Sequence, residues 1–270
     1  MRKTLMLFCG LSLITALYAQ DKVDYEVVDT AKLMVTYDLV YRNDSTVKDY
    51  GKREDMILLI GNDVSCFQSY LYYKQREFFM TRQPGISVDV LLQQNWVPSD
   101  IRYVIYKDLS KNSVNVTEHV PFTGDFEYDE TLTFECVILD DTMNIGGYLA
   151  QKATVNFGGR TWDAWFTDEL PISDGPYKFS GLPGLILNMT DSKKDYRFSF
   201  KSIERLAETV TIKKERKGII TTTKEKLFKI RDELAENVLS GFNSMTSDDA
   251  KHGIYVGMKS FNNPIELERK

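Results

Sequence analysis

Apolar side chains fall on every second position over long stretches of this chain. Across residues 32–42, Leu33, Val35, Tyr37, Leu39 and Tyr41 share one face, which predicts a strand with one side buried. Residues 56–60 are a short continuous apolar run ended by Gly61-Asn62-Asp63, as expected of a more deeply buried strand. Alternation returns at Ile101, Tyr103 and Ile105, and again at Val114 and Val116. Phe134, Cys136 and Ile138 predict another strand, closed by a turn-like Asp140-Asp141. Residues 69–80 fit helix and strand equally, and Gln83-Pro84-Gly85 reads as a loop.

The clearest hairpin spans residues 153–166. Ala153, Val155 and Phe157 alternate, and Gly158-Gly159 supplies two residues that tolerate positive φ. Trp162, Ala164 and Phe166 then alternate on the return. Residues 185–189 and 196–200 predict a second hairpin around Asp191-Ser192-Lys193-Lys194-Asp195. One helix follows: Thr222 and Glu225 stand in capping-box relation, Leu227, Ile230, Leu234 and Val238 fall on one face, and Gly241 stops it. The expected fold is mainly β with a minor α part. It is a curved or barrel-like antiparallel sheet with one C-terminal amphipathic helix packed on it.

The start of the chain changes the picture of where this sheet resides. Arg2 and Lys3 precede an apolar run over residues 5–17, and Ala19 offers a small residue before Gln20 and Asp21. That layout is a secretory signal peptide, too short for a stable membrane span. The expected organisation is a signal peptide over 1–19, one β-rich domain over 20–260 and a tail over 261–270. After cleavage the protein is expected in the periplasm or outside the cell, without a transmembrane segment. Cleavage removes two of 34 basic residues, leaving 32 against 39 acids, a net charge of −7. The one basic run, Lys213-Lys214-Glu215-Arg216-Lys217, is short and interrupted by an acid, so nucleic acid is excluded as a partner. An oxidising compartment permits a disulfide between Cys66 and Cys136; two buried free thiols fit equally well.

The sequence contains no convergent catalytic set. The only histidines are His119 and His252, H-E-x-x-H and G-x-S-x-G are missing, and no catalytic residue, metal or cofactor is assigned. Asp163, Asp168 and Glu169 flank Trp165, and paired carboxylates can act as acid and base, although solvated strand-edge charges explain them more simply. Residues 168–184 make a connection longer than a hairpin needs. Within it Pro183 and Gly184 fit the middle of a type II turn, and Gly181 adds a second permissive point.

"GLPGLI" at residues 181–186 resembles the defining motif of the GLPGLI family of secreted proteins from Gram-negative bacteria. The similarity extends over residues 146–189, and implies an extracytoplasmic domain with no assigned activity. Relatives often carry Cys where Ala150 stands here. Two non-catalytic functions follow from the residues. With 15 Phe, 15 Tyr and 3 Trp, a curved sheet is expected to carry an apolar ligand. The ligand- or partner-binding residues would be Trp162, Trp165, Tyr177, Phe179, Gly181, Leu182, Pro183 and Gly184. Alternatively the 168–184 loop docks on an outer-membrane protein. A hydrolase built on Asp163, Asp168 or Glu169 is the third reading.

Overall fold

The computed structural model describes residues 24–45, 51–81, 99–120, 123–241 and 263–268. The strands are β1 (Tyr25–Tyr41), β2 (Lys52–Ile60), β3 (Val64–Ser69), β4 (Tyr103–Asp108), β5 (Ser113–Val120), β6 (Gly124–Thr131), β7 (Val137–Ile145), β8 (Tyr148–Phe157), β9 (Arg160–Thr167), β10 (Leu185–Asp191), β11 (Tyr196–Glu215) and β12 (Ile219–Thr221). Helix α1 (Tyr70–Thr81) follows β3, and α2 (Lys224–Gly241) follows β12. Among the described residues all twelve strands join one sheet in the order β12-β6-β5-β4-β3-β2-β1-β11-β10-β9-β8-β7. Two antiparallel meanders, β1 to β6 and β7 to β11, are thus sewn together by the β1–β11 pair.

The mainly β expectation holds, with two differences. β12 runs parallel to β6, so the sheet is mixed, and its end strands β12 and β7 do not pair, so it is not a closed barrel. The segment that fitted helix and strand equally is helix α1. Curvature comes from register shifts between β1 and β11 at Val27/Asp29, Ala31/Leu33 and Thr36/Tyr37, because extra residues bend a paired strand. The concave face closes on one apolar cluster that draws on strands from β6 at one end to β7, through Ile145, at the other.

Local sequence explains each layer. Val35, Tyr37, Leu39 and Tyr41 of β1 are buried on the concave side, as their alternation requires. β2 has no alternation because both its faces are covered. Met56, Leu58 and Ile60 enter the concave core, while Ile57 and Leu59 join Cys66, Val104 and Tyr106 beneath Tyr72 and Tyr73 of α1. Burying each such side chain contributes about 1.5–3 kcal/mol. Gly158 and Gly159 have φ of 60° and 72°, the mirror-image turn that lets Phe157 pair with Arg160. The second hairpin forms as predicted, pairing Met189 with Phe198.

Other expectations are corrected. Phe134 and Cys136 precede β7 and are not part of a strand, and Asp140-Asp141 is no turn. The β7–β8 register jumps from Ile138↔Ala153 to Thr142↔Gln151, so Leu139, Asp140 and Asp141 bulge opposite Lys152 alone. Gln151 Nε2 donates to the bulged Leu139 carbonyl at 2.8 Å. The α2 cap is Thr223, whose Oγ1 accepts from Lys226 N; Thr222 is still tied to β6 through its N–H on Glu127 O. Cys66 and Cys136, the cysteines among the described residues, are both free. Cys66 lies on the convex face under α1 and Cys136 packs against the concave core, so the sheet itself separates them. Residues 263–268, in the stretch expected to be a tail, are docked: Asn263 and Glu266 are buried. The leader, Gln83-Pro84-Gly85 and His252 lie outside the described residues.

Candidate functional site

The connection between β9 and β10 folds back into the concave face instead of standing out from it. Its backbone is a series of tight three-residue turns. Ile172 N donates to Leu170 O, Asp174 N to Ile172 O, and Gly184 N to Leu182 O, at 2.7, 2.8 and 2.8 Å. The last turn is centred on Pro183, whose fixed φ suits it, and it replaces the expected type II turn. Gly184 is therefore not needed for a positive φ. It is needed because a Cβ there would stand 2.0 Å from the Thr167 carbonyl oxygen. Gly181 does adopt the left-handed region, with φ of 91°.

This fold-back delivers Lys178 into the interior, between two carboxylates. Its Nζ lies 2.6 Å from Glu130 Oε2 on β6 and 2.6 Å from Glu266 Oε1. Lys224 of α2 meets the other oxygens of the same pair, at 2.7 Å and 2.6 Å. Tyr177, held at φ 55°, donates its hydroxyl to Glu266 Oε1 at 2.5 Å. Burial alone pushes the Glu266 carboxyl up, but Lys178 and Lys224 outweigh it and hold the group below the ordinary glutamate range. Two cations and two carboxylates alternate here, which is how an interior tolerates charge.

Two further buried ionic contacts fix the same region. Lys107 pairs with Asp174 and donates to Gly175 O at 2.6 Å; burial lowers its pKa, and Asp174 offsets only part of that. Arg160 reaches Asp191 Oδ2 at 2.8 Å and Asp195 Oδ2 at 3.2 Å. It also donates to Asn263 Oδ1, Pro264 O and Ile265 O, at 2.6, 2.8 and 3.0 Å. Chemically these groups are paired with one another and shielded from solvent, with Asp174 Oδ2 left without a hydrogen-bond partner of its own. They clamp the loop and residues 263–266 into the sheet.

The residues expected to bind a ligand divide accordingly. Trp162, Tyr177, Phe179 and Leu182 are buried, with Phe179 and Trp162 ring centroids 5.0 Å apart and Phe179 edge-on to Phe157 at 5.3 Å. Their own contacts occupy the concave side. Gly184 is buried, Trp165 is half-buried on the opposite face of β9, and Gly181 and Pro183 are exposed. The three carboxylates do not converge. Asp163 pairs with Lys152 at 3.0 Å, Glu169 accepts from Leu149 N at 2.7 Å, and Asp168 is exposed. His119 is paired with Asp125 at 2.9 Å. The basic run at the end of β11 is met by acids: Lys213 by Glu77, Lys214 by Glu127 and Arg216 by Glu26. Among the described residues no group of three His, Cys, Asp or Glu side chains is placed to hold a metal.

Exposed apolar surface gathers elsewhere, at the end of the sheet. Val137 is 60% exposed, Ile138 47% and Met143 43%, all on β7, and Leu149 of β8 is 60% exposed. Among the described residues β7 pairs on one side only, with β8. Sequence reading missed both the ionic interior and this edge. Lys178, Glu130 and Glu266 are far apart along the chain, and the Asp140-Asp141 pair masks the strand.

Residues 158–188 match the family model described as "Protein of unknown function (Porph_ging)". That span holds the β8–β9 turn, the folded-back loop and the start of β10. No curated protein matches the chain. Among solved structures, PNGF-II in the P21 space group is similar with 12% identity and a TM-score of 0.48, and PNGF-II in the C2 space group with 14% identity and the same score. Each comparison covers 72% of this chain, which spans 31% of the length of those proteins. Among the described residues no helix is long and apolar enough to cross a membrane.

Proposed function

We propose that this is an exported envelope protein that works as a non-catalytic binding module, recognising a protein partner through the β7–β8 edge. One observation carries the reading: the solvent-facing apolar residues Val137, Ile138, Met143 and Leu149 share that edge, whereas the rings expected to grip a small ligand are packed on each other. Export rests on the leader-like residues 1–19 and on the resemblance of residues 181–186 to the GLPGLI motif of secreted proteins. The partner is then a component of the cell envelope.

The test is a photo-crosslinking amino acid placed at Met143 in living cells, with Ile220 as control. Ile220 is also half-exposed and apolar, but lies on β12 at the far edge of the sheet. A discrete adduct from position 143 alone, traced to one envelope protein, is expected. The same adducts from both positions overturn the reading. Mass analysis of the recovered protein should show a terminus near Gln20; an intact leader overturns export.

A further inference from the structure

The geometry points to strand addition: an extended segment of the partner, bearing lysine or arginine at alternate positions, pairs with the open side of β7. This rests on the docking reading above and specifies its chemistry. A strand that ends a sheet presents every second N–H and C=O to solvent, a ready template for another chain. The opposite end is blunted, since β12 has only three residues. β7 has nine, and it is the longer, better-exposed rim.

Two features of β7 decide which strand fits. The first is charge. The segment from Leu132 to Leu170 holds Glu135, Asp140, Asp141, Asp163, Asp168 and Glu169 against only Lys152 and Arg160. Lys152 is already paired with Asp163, and Arg160 is buried among carboxylates. Asp140 and Asp141 are exposed on the rim itself. The second is the bulge at Leu139, Asp140 and Asp141, which divides β7 into an apolar step at Val137-Ile138 and a longer run from Thr142 to Ile145. A second copy of this chain is a poor occupant: full antiparallel pairing of β7 with itself sets Asp141 opposite Asp141, and like charges directly opposed destabilise a sheet. A neutral strand leaves both carboxylates beside it unpaired. A basic, alternating strand neutralises them and lays its apolar side chains along the face that Val137 and Met143 share in the β7–β8 register.

The experiment uses the protein as recovered from cells and a synthetic peptide of alternating lysine and valine. Hydrogen exchange of the β7 amides is followed as peptide is added. The expected result is slowing of exchange by about tenfold or more, confined to residues 137–145. It should be lost with glutamate in place of lysine, with the peptide N-methylated at alternate backbone nitrogens, and in the Asp140→Lys/Asp141→Lys variant. Equal protection by the N-methylated peptide means side-chain attraction alone and overturns strand addition, as does no protection at all. Sedimentation showing a dimer sealed at β7 overturns it in favour of a second copy. The docking reading fails separately, on the crosslink at position 143; a crosslink there together with absent protection rejects only the strand geometry.

Discussion

Lys178 Nζ and Glu266 Oε1 lie 2.6 Å apart, joining the loop between β9 and β10 to the last described segment of the chain. Both side chains are shielded from water, so removing one strands the other's charge. Lys178→Met and Glu266→Gln are each expected to lower unfolding free energy by about 3–5 kcal/mol. The double substitution should cost clearly less than the sum, because the two groups share one network. Denaturant titrations measure this, and strictly additive losses would reject the clamp.

Gly184 and Gly181 separate two reasons for a glycine. At Gly184 a methyl group would strike the Thr167 carbonyl, so Gly184→Ala should cost about 3–5 kcal/mol. Gly181 has open space around its missing Cβ and only a positive φ, so Gly181→Ala should cost about 1–2 kcal/mol. Thermal melts of the two variants check the order; equal losses contradict the close-approach account.

Acid should loosen the ionic interior. At Glu266 burial raises the pKa and the two lysines more than reverse it; at Asp195 burial raises it and bonds from Asn263, Arg160 and Arg42 reverse it. Both folded values lie below the ordinary ones, so their stabilisation is complete above about pH 4.5 and fades as pH falls through the folded values. Urea midpoints between pH 7 and pH 3 should show the decline, and Glu266→Gln should flatten it. A midpoint unchanged down to pH 3 would refute the assignment.

The two thiols should behave differently. Burial pushes Cys66 up to about 12, with Arg76 and Lys107 offsetting only part of that, and burial also raises Cys136. Cys136 is partly exposed and Cys66 is not. Alkylation of native protein should therefore mark Cys136 first and spare Cys66. After denaturation without reductant both should react; a blocked pair would mean a disulfide.

Local rules made much of this fold legible. Gly158-Gly159 announces its hairpin because the turn type demands positive φ at both residues, and alternation at Leu33 to Tyr41 announces β1 because one face is buried. What sequence concealed is non-local. Nothing near Tyr25 forecasts pairing with Glu215, and nothing near Lys178 reveals that Glu130 and Glu266 await it. Asp140-Asp141 reads as a turn because bulges and turns use the same residues. The rich turn chemistry of residues 168–184 announces a long ordered connection, but not that its tight turns carry Tyr177, Lys178 and Phe179 into the interior.

The β1–β11 seam also governs when the molecule can form. Its register begins at Tyr25 with Glu215 and ends at Tyr41 with Tyr196, so the earliest described strand waits for one near the other end of the polypeptide. Until the ribosome has released residues 196–215, the first meander has no neighbour along β1, and zipping the seam requires closing a very long loop. On the export reading proposed above, such tardiness would keep the polypeptide threadable, and the wiring of the sheet is what would supply it.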